Sequence, residues 1–289
     1  MKGVPMPTDP FLDTLQENLN IIKERQRAVE TQRRVCVEEL SRRICADRER
    51  TDPKEIYARF KERLPDYQRE DLMILCQHLF SPTAPSALEH APSNASLSAD
   101  ARATIALVHN PYNQAAYQSF ASGIIGAKAY PVPSFSDACE DVFDGRCEFC
   151  ILPIENAQDG RLFSFYGMID RYDLRICAIT EVETESNTGT IFYALVGKTL
   201  PDRIPKGARW HLEGMIVEQA GTLPSELFGL TKFFGAHICK LDTLPLPYND
   251  HSQRFYFRIR LAKHHAEAVH FYLSQRYNRY TNIGLYPKL

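Results

Sequence analysis

No apolar run in this 289-residue chain approaches the roughly 20 residues that cross a bilayer, which excludes a helical membrane anchor. Net positive charge is also missing: 34 Lys and Arg stand against 36 Asp and Glu, a formal balance of −2. Without a global positive field, sequence-independent nucleic-acid binding is not expected. The eight cysteines form no disulfide framework in a chain of this length. Cys147 and Cys150 have CxxC spacing, but no second CxxC and no nearby His pair completes a four-ligand metal site. Small buried thiols are the expectation, with neither metal nor cofactor. The opening MKGVPMPTDPF turns polar and proline-rich where a signal peptide needs an apolar core, so a cytoplasmic protein is expected. What is present, 44% hydrophobic and 24% charged residues, is the composition of a folded globular chain.

Three parts follow one another. Residues 1–80 read as helical. No proline interrupts the stretch between Phe11 and Asp52, and Leu12, Leu15, Leu19, Ile22, Gln26, Val29, Arg33, Cys36 and Leu40 recur at steps of three and four. That spacing draws one seam along a single long helix. Asp52 and Pro53 form a cap and first turn for a second helix to about Leu64, and a third runs from about Tyr67 to Phe80. Two seam positions, Gln26 and Arg33, are polar. A polar seam residue fixes register and partner number in a coiled coil; a cation inside a helical bundle alternatively holds an anionic ligand. Both readings stand. The Ser-, Ala- and Pro-rich residues 81–100 read as a linker.

Residues 101–207 alternate strands with helices, from ATIALVH through CEFCILPIE to LRICAITEVE, which predicts an α/β lobe with a mainly parallel sheet and ligands at its strand ends. GRLFSFYGMIDRYD is expected to be helical throughout. Residues 208–289 read β-α-β-β-α-β, the ferredoxin-like order, with PYNDHS as the central hairpin turn. His264 and His265 lie about 100° apart on a helix and read as surface residues, not a metal pair. The fold class is therefore α+β multidomain: a helical bundle, a central α/β lobe and a ferredoxin-like C-terminal domain.

These parts resemble known families. A long, a short and a medium helix are similar to the helical chorismate mutase domain, whose long helices pair between subunits and whose cations clamp the carboxylates of chorismate. Aligning LQENLNIIKERQ on that domain sets Arg33 against its inward mid-helix Arg, Glu55 against its acidic second-helix residue and Gln77 against its third-helix Gln. Gln16 stands where the family has an Arg, and Ile44 falls near its Lys.

The segment from FSDACEDVF to AITEV resembles prephenate dehydratase, in which a strand ending Pro-Ile-Glu-Asn leads to a Gly and a helix. Here these are Pro153, Ile154, Glu155, Asn156 and Gly160. The resemblance implies half of a periplasmic-binding-protein-like clamshell, with Glu155 and Asn156 facing the substrate. NTGTIFYALVGK matches the crossing strand, after which the second lobe is missing. Thr190-Ile191-Phe192 carries Ile where the family's Thr-Arg-Phe motif places a guanidinium.

The last part resembles the ACT regulatory domain, with Gly221, Thr222, Leu223, Asp242 and Thr243 at its phenylalanine-site positions. This order of domains matches the bifunctional chorismate mutase/prephenate dehydratase family of L-phenylalanine biosynthesis. It implies chorismate or prephenate as substrate, L-phenylalanine as effector and a homodimer or homotetramer. The missing lobe and missing guanidinium put dehydration in question. The alternative is a non-catalytic oligomer that senses an aromatic amino acid or regulates a pathway enzyme.

Overall fold

Apolar spacing and capping side chains place the first helices where the sequence puts them. In the computed structural model, which describes residues 10–82, 103–124, 126–183, 189–198, 210–219, 223–246 and 249–287, the chain divides into two compact units, Met1–Leu79 and Phe80–Leu289. In the first, α1 (Pro10–Ile44) leads through a single 3₁₀ turn to α2 (Pro53–Arg63) and α3 (Arg69–Leu79). Asp52 caps α2, accepting a hydrogen bond from the Lys54 backbone N–H at 2.7 Å. Val37 and Cys45 pack with Ile56, Phe60, Leu72 and Leu75 into a small core. Along the N-terminal half of the seam, Leu12, Leu15, Leu19, Ile22 and Val29 are all exposed among the described residues. The linker expected at 81–100 lies almost wholly outside the described residues.

The second unit contains β1 (Thr104–Val108), α4 (Pro111–Gly123), β2 (Lys128–Val132), α5 (Phe135–Phe143), β3 (Phe149–Asn156), β4 (Gly160–Arg161), α6 (Phe163–Arg171), β5 (Arg175–Glu183) and β6 (Thr190–Gly197). These are followed by β7 (Trp210–Gln219), α7 (Leu223–Phe234), β8 (His237–Leu246), β9 (Asn249–Leu261), α8 (Lys263–Arg276) and β10 (Tyr280–Pro287). All strands but β4 lie in one path, β2-β1-β3-β6-β5-β10-β7-β9-β8. Its first half carries two cores, one per face. Phe120 and Ala116 of α4 cover one, while Ala138 and Val142 of α5 and Tyr166 and Ile169 of α6 cover the other. Buried on both faces, β3 is apolar for six residues running, as a central α/β strand must be.

Three expectations need correction. The sheet is mixed, not mainly parallel: β1 runs parallel to β2 and β3, but β6 runs antiparallel to both β3 and β5. The short connection from β5 to β6 cannot make the crossover that parallel neighbours need. Residues 160 and 161 are not the start of a helix. Gly160, at φ 73°, turns the chain back so that β4 pairs with the end of β3. Asn249–Ser252 extend β9 and do not belong to the hairpin turn.

The second half, β7-α7-β8-β9-α8-β10, has the strand order β10-β7-β9-β8. It joins the first half through one parallel pairing, Gly284 of β10 opposite Ile176 of β5. A Cβ at Gly284 would lie 2.6 Å from the Ile176 carbonyl oxygen, so a side chain there would force the strands apart. Among the described residues no second α/β lobe intervenes between β6 and β7. Nor is any helix among them long and apolar enough to cross a membrane.

Candidate functional site

The end of β3 is shaped by a tight turn. Asn156 Oδ1 accepts hydrogen bonds from the backbone N–H groups of Gln158 (2.6 Å) and Asp159 (2.9 Å), and its Nδ2 donates to Asp159 Oδ2 (2.7 Å). This is the local hydrogen bonding that makes Asn a turn former. The turn sets Glu155 directly across from Arg161 on β4.

Opposite this hairpin stands one face of the C-terminal strands. Along β9, Phe255, Phe257, Ile259 and Leu261 are buried; the alternate residues Tyr256, Arg258 and Arg260 point to the other face. The register places His211 and Glu213 of β7 beside Arg260 and Arg258, and Lys240 and Asp242 of β8 beside Arg258 and Tyr256. Charges from five strands, β3, β4, β7, β8 and β9, therefore converge. Glu155 accepts from Lys240 Nζ at 2.6 Å and from Arg258 Nη1 at 3.2 Å. Arg161, fully buried, donates to Asp242 Oδ2 at 2.8 Å and to Glu213, and its guanidinium lies 4.7 Å from the centre of the Tyr166 ring. Glu213 also accepts from the hydroxyls of Tyr166 and Tyr286, each at 2.6 Å, and from Arg258 Nε at 3.0 Å.

Burial of Glu213 disfavours its charged form, but Arg258, Arg161 and the two tyrosine hydroxyls outweigh that cost and hold its carboxyl well below the usual carboxylate range. The same burial drives the Tyr166 and Tyr286 hydroxyls up, so both remain protonated donors. Glu213 in this network acts as a fixed, ionised acceptor.

Beside the network lies a cavity of about 380 Å³. Arg258, Arg260, His211 and Cys239 line one side of it, and Ile179, Phe192 and Tyr286 form its apolar part. His211 stacks on Tyr286, with centroids 5.8 Å apart and planes 25° from parallel.

The residues singled out in the sequence fall in separate places. Arg33 pairs with the buried carboxylate of Asp71 at 2.5 Å and also donates to the Asp66 carbonyl. Glu55 accepts from Arg59 at 2.7 Å, and Gln77 is exposed. Among the described residues no hydrogen bond or ion pair joins Arg33, Glu55 and Gln77 to one another. Glu155 and Asp242, read as members of two sites, instead sit in one network. Thr243 is exposed on β8, Leu223 opens α7, and Gly221 and Thr222 lie outside the described residues. Sequence reasoning missed Arg161, Glu213, Lys240 and Arg258. The strand RFYFRIRL carried the signal, since its charges occupy one alternate face.

No protein-family model and no curated protein sequence matches the chain. Solved structures do. The prephenate dehydratase of Streptococcus mutans matches with a TM-score of 0.52 at 16% identity, over 64% of this chain and 98% of that one. The prephenate dehydratase of Arthrobacter aurescens, solved in complex with L-Phe, matches with a TM-score of 0.50 at 12% identity, over 63% and 89%. The chain has a prephenate dehydratase-like fold. GqqA, described as a novel type of quorum quenching acylase, also matches, with a TM-score of 0.50 at 19% identity over 64% and 94%. A dehydratase and an acylase thus share this prephenate dehydratase-like fold, and the fold does not choose the reaction.

Proposed function

We propose that this chain is a non-catalytic member of the prephenate dehydratase-like structural class, a homo-oligomeric protein that binds a ligand of aromatic amino-acid metabolism and performs no dehydration. One observation carries the reading: Glu155, at the substrate-facing position of the resemblance, is neutralised within the chain by Lys240 and Arg258. Asn156 is likewise engaged by its own turn. Ile191 leaves the crossing strand without the guanidinium that a dianionic substrate needs. Chorismate rearrangement depends on cations free to stabilise developing negative charge. Arg33 is engaged by Asp71, so mutase activity is not expected either.

The exposed seam of α1 supports the oligomer. Five large apolar side chains along one helix, exposed among the described residues, are what a second copy would cover. L-phenylalanine as an effector of the C-terminal module remains part of the proposal, through the sequence positions Gly221, Thr222, Leu223 and Thr243. Incubation of high enzyme concentrations with prephenate, following phenylpyruvate, and with chorismate, following its loss, tests the reading. No turnover above the uncatalysed rate is expected; measurable turnover of prephenate would overturn it.

A further inference from the structure

The cavity beside Glu213 lies between β5 and β6 of the first half of the sheet and the charged face of β7, β8 and β9. Four cations, Arg161, Lys240, Arg258 and Arg260, stand in and around it, facing three carboxylates, Glu155, Glu213 and Asp242. Each carboxylate is engaged by at least one of the first three cations. Among the described residues none of them pairs with Arg260, which lines the cavity. The cluster therefore carries one surplus positive charge, located on the cavity wall.

The remaining walls specify the rest of a ligand. Ile179 and Phe192 offer apolar contact, and the ring of Tyr286, fully buried and stacked on His211, holds that imidazole in the wall. A volume of about 380 Å³ is in the range of small-molecule pockets. A single unneutralised guanidinium matches one carboxylate. An ammonium group would find no acidic partner, because among the described residues no carboxylate lines the cavity. A second carboxylate would find no second surplus cation.

We infer that this cavity binds an aromatic monocarboxylate without an amino group, its carboxylate on Arg260 and its ring against Phe192. The cavity shares Arg258 with the Glu155 network, but neither Glu155 nor Asp242 lines it. It deepens the proposed reading and rests on it in one respect: the ligand is bound and not converted.

Calorimetric titration with 3-phenylpropanoate, L-phenylalanine and acetate tests it. Saturable binding of 3-phenylpropanoate is expected, with acetate at least tenfold weaker and with L-phenylalanine unable to compete for the same site. Arg260→Gln should weaken 3-phenylpropanoate roughly 10- to 100-fold, the range of a lost charge-assisted hydrogen bond, and Arg260→Lys should restore part of it. A second measurement needs no change at Arg260. With Cys36 replaced by Ser, the rate at which a thiol reagent modifies Cys239 should fall as 3-phenylpropanoate saturates, because Cys239 lines the same cavity. A flat titration, undiminished affinity in folded Arg260→Gln, or an unprotected Cys239 would overturn the inference. Prephenate turnover would overturn the non-catalytic reading, whereas the 3-phenylpropanoate titration judges the cavity by itself.

Discussion

Glu213 holds the two halves of the large sheet's charged face together. Its carboxylate receives two guanidiniums and two hydroxyls with no exposure to water. Removing one member of a buried ion-pair network leaves charges uncompensated and costs about 3–5 kcal/mol. Glu213→Gln should therefore lower unfolding free energy by about that amount in urea titrations. The sign of the pH effect follows from the depressed carboxyl. The folded form stays ionised below the unfolded value of about 4.3, so its stabilisation is full above that value and is lost as pH falls from about 5. Stability measured from pH 7 to 3 should drop along this limb, and the drop should be shallower in Glu213→Gln.

At the scale of elements, the helices and most strands were legible because burial periodicity and caps act locally. Asp52-Pro53 marked α2, and the six-residue apolar run marked β3. The β3–β4 hairpin was not legible. Gly160 reads equally well as a helix flank, and only pairing of Arg161 with Glu155 identifies it as a turn. The mixed sheet was hidden for a similar reason: strand direction depends on which neighbours meet, and period-two patterning does not encode it. The join between β5 and β10 rests on Gly284, where any Cβ strikes backbone. Gly284→Ala should destabilise the chain by about 1–3 kcal/mol, the cost of overpacking, read as a lower urea midpoint.

At the scale of the molecule, the candidate site shows what single-sequence reading misses. Glu155 was found through its motif, but its partners Lys240 and Arg258 lie 85 and 103 residues away. Charge on an alternate strand face says that a face is polar; it does not say what the face meets. The resemblance placed Glu155 and Asp242 in different domains with different ligands. Their meeting in one network, both through Arg161, Glu213 and Arg258, depends on tertiary contacts between strands far apart in the chain, which no local pattern reports. Assembly is argued on the same scale. Leu19, 55% exposed on the α1 seam, should be covered in the oligomer, so Leu19→Glu should shift the sedimentation mass from an even multiple to that of one chain.

A non-catalytic chain requires Glu155 to be held by the chain itself. A double-mutant cycle on unfolding free energy, combining Glu155→Gln with Lys240→Met, measures that hold directly. The salt bridge at 2.6 Å between two mostly buried side chains predicts a coupling energy of about 0.5–3 kcal/mol. Additivity of the two substitutions within about 0.3 kcal/mol would mean that Glu155 is free to meet a substrate, and would contradict the account.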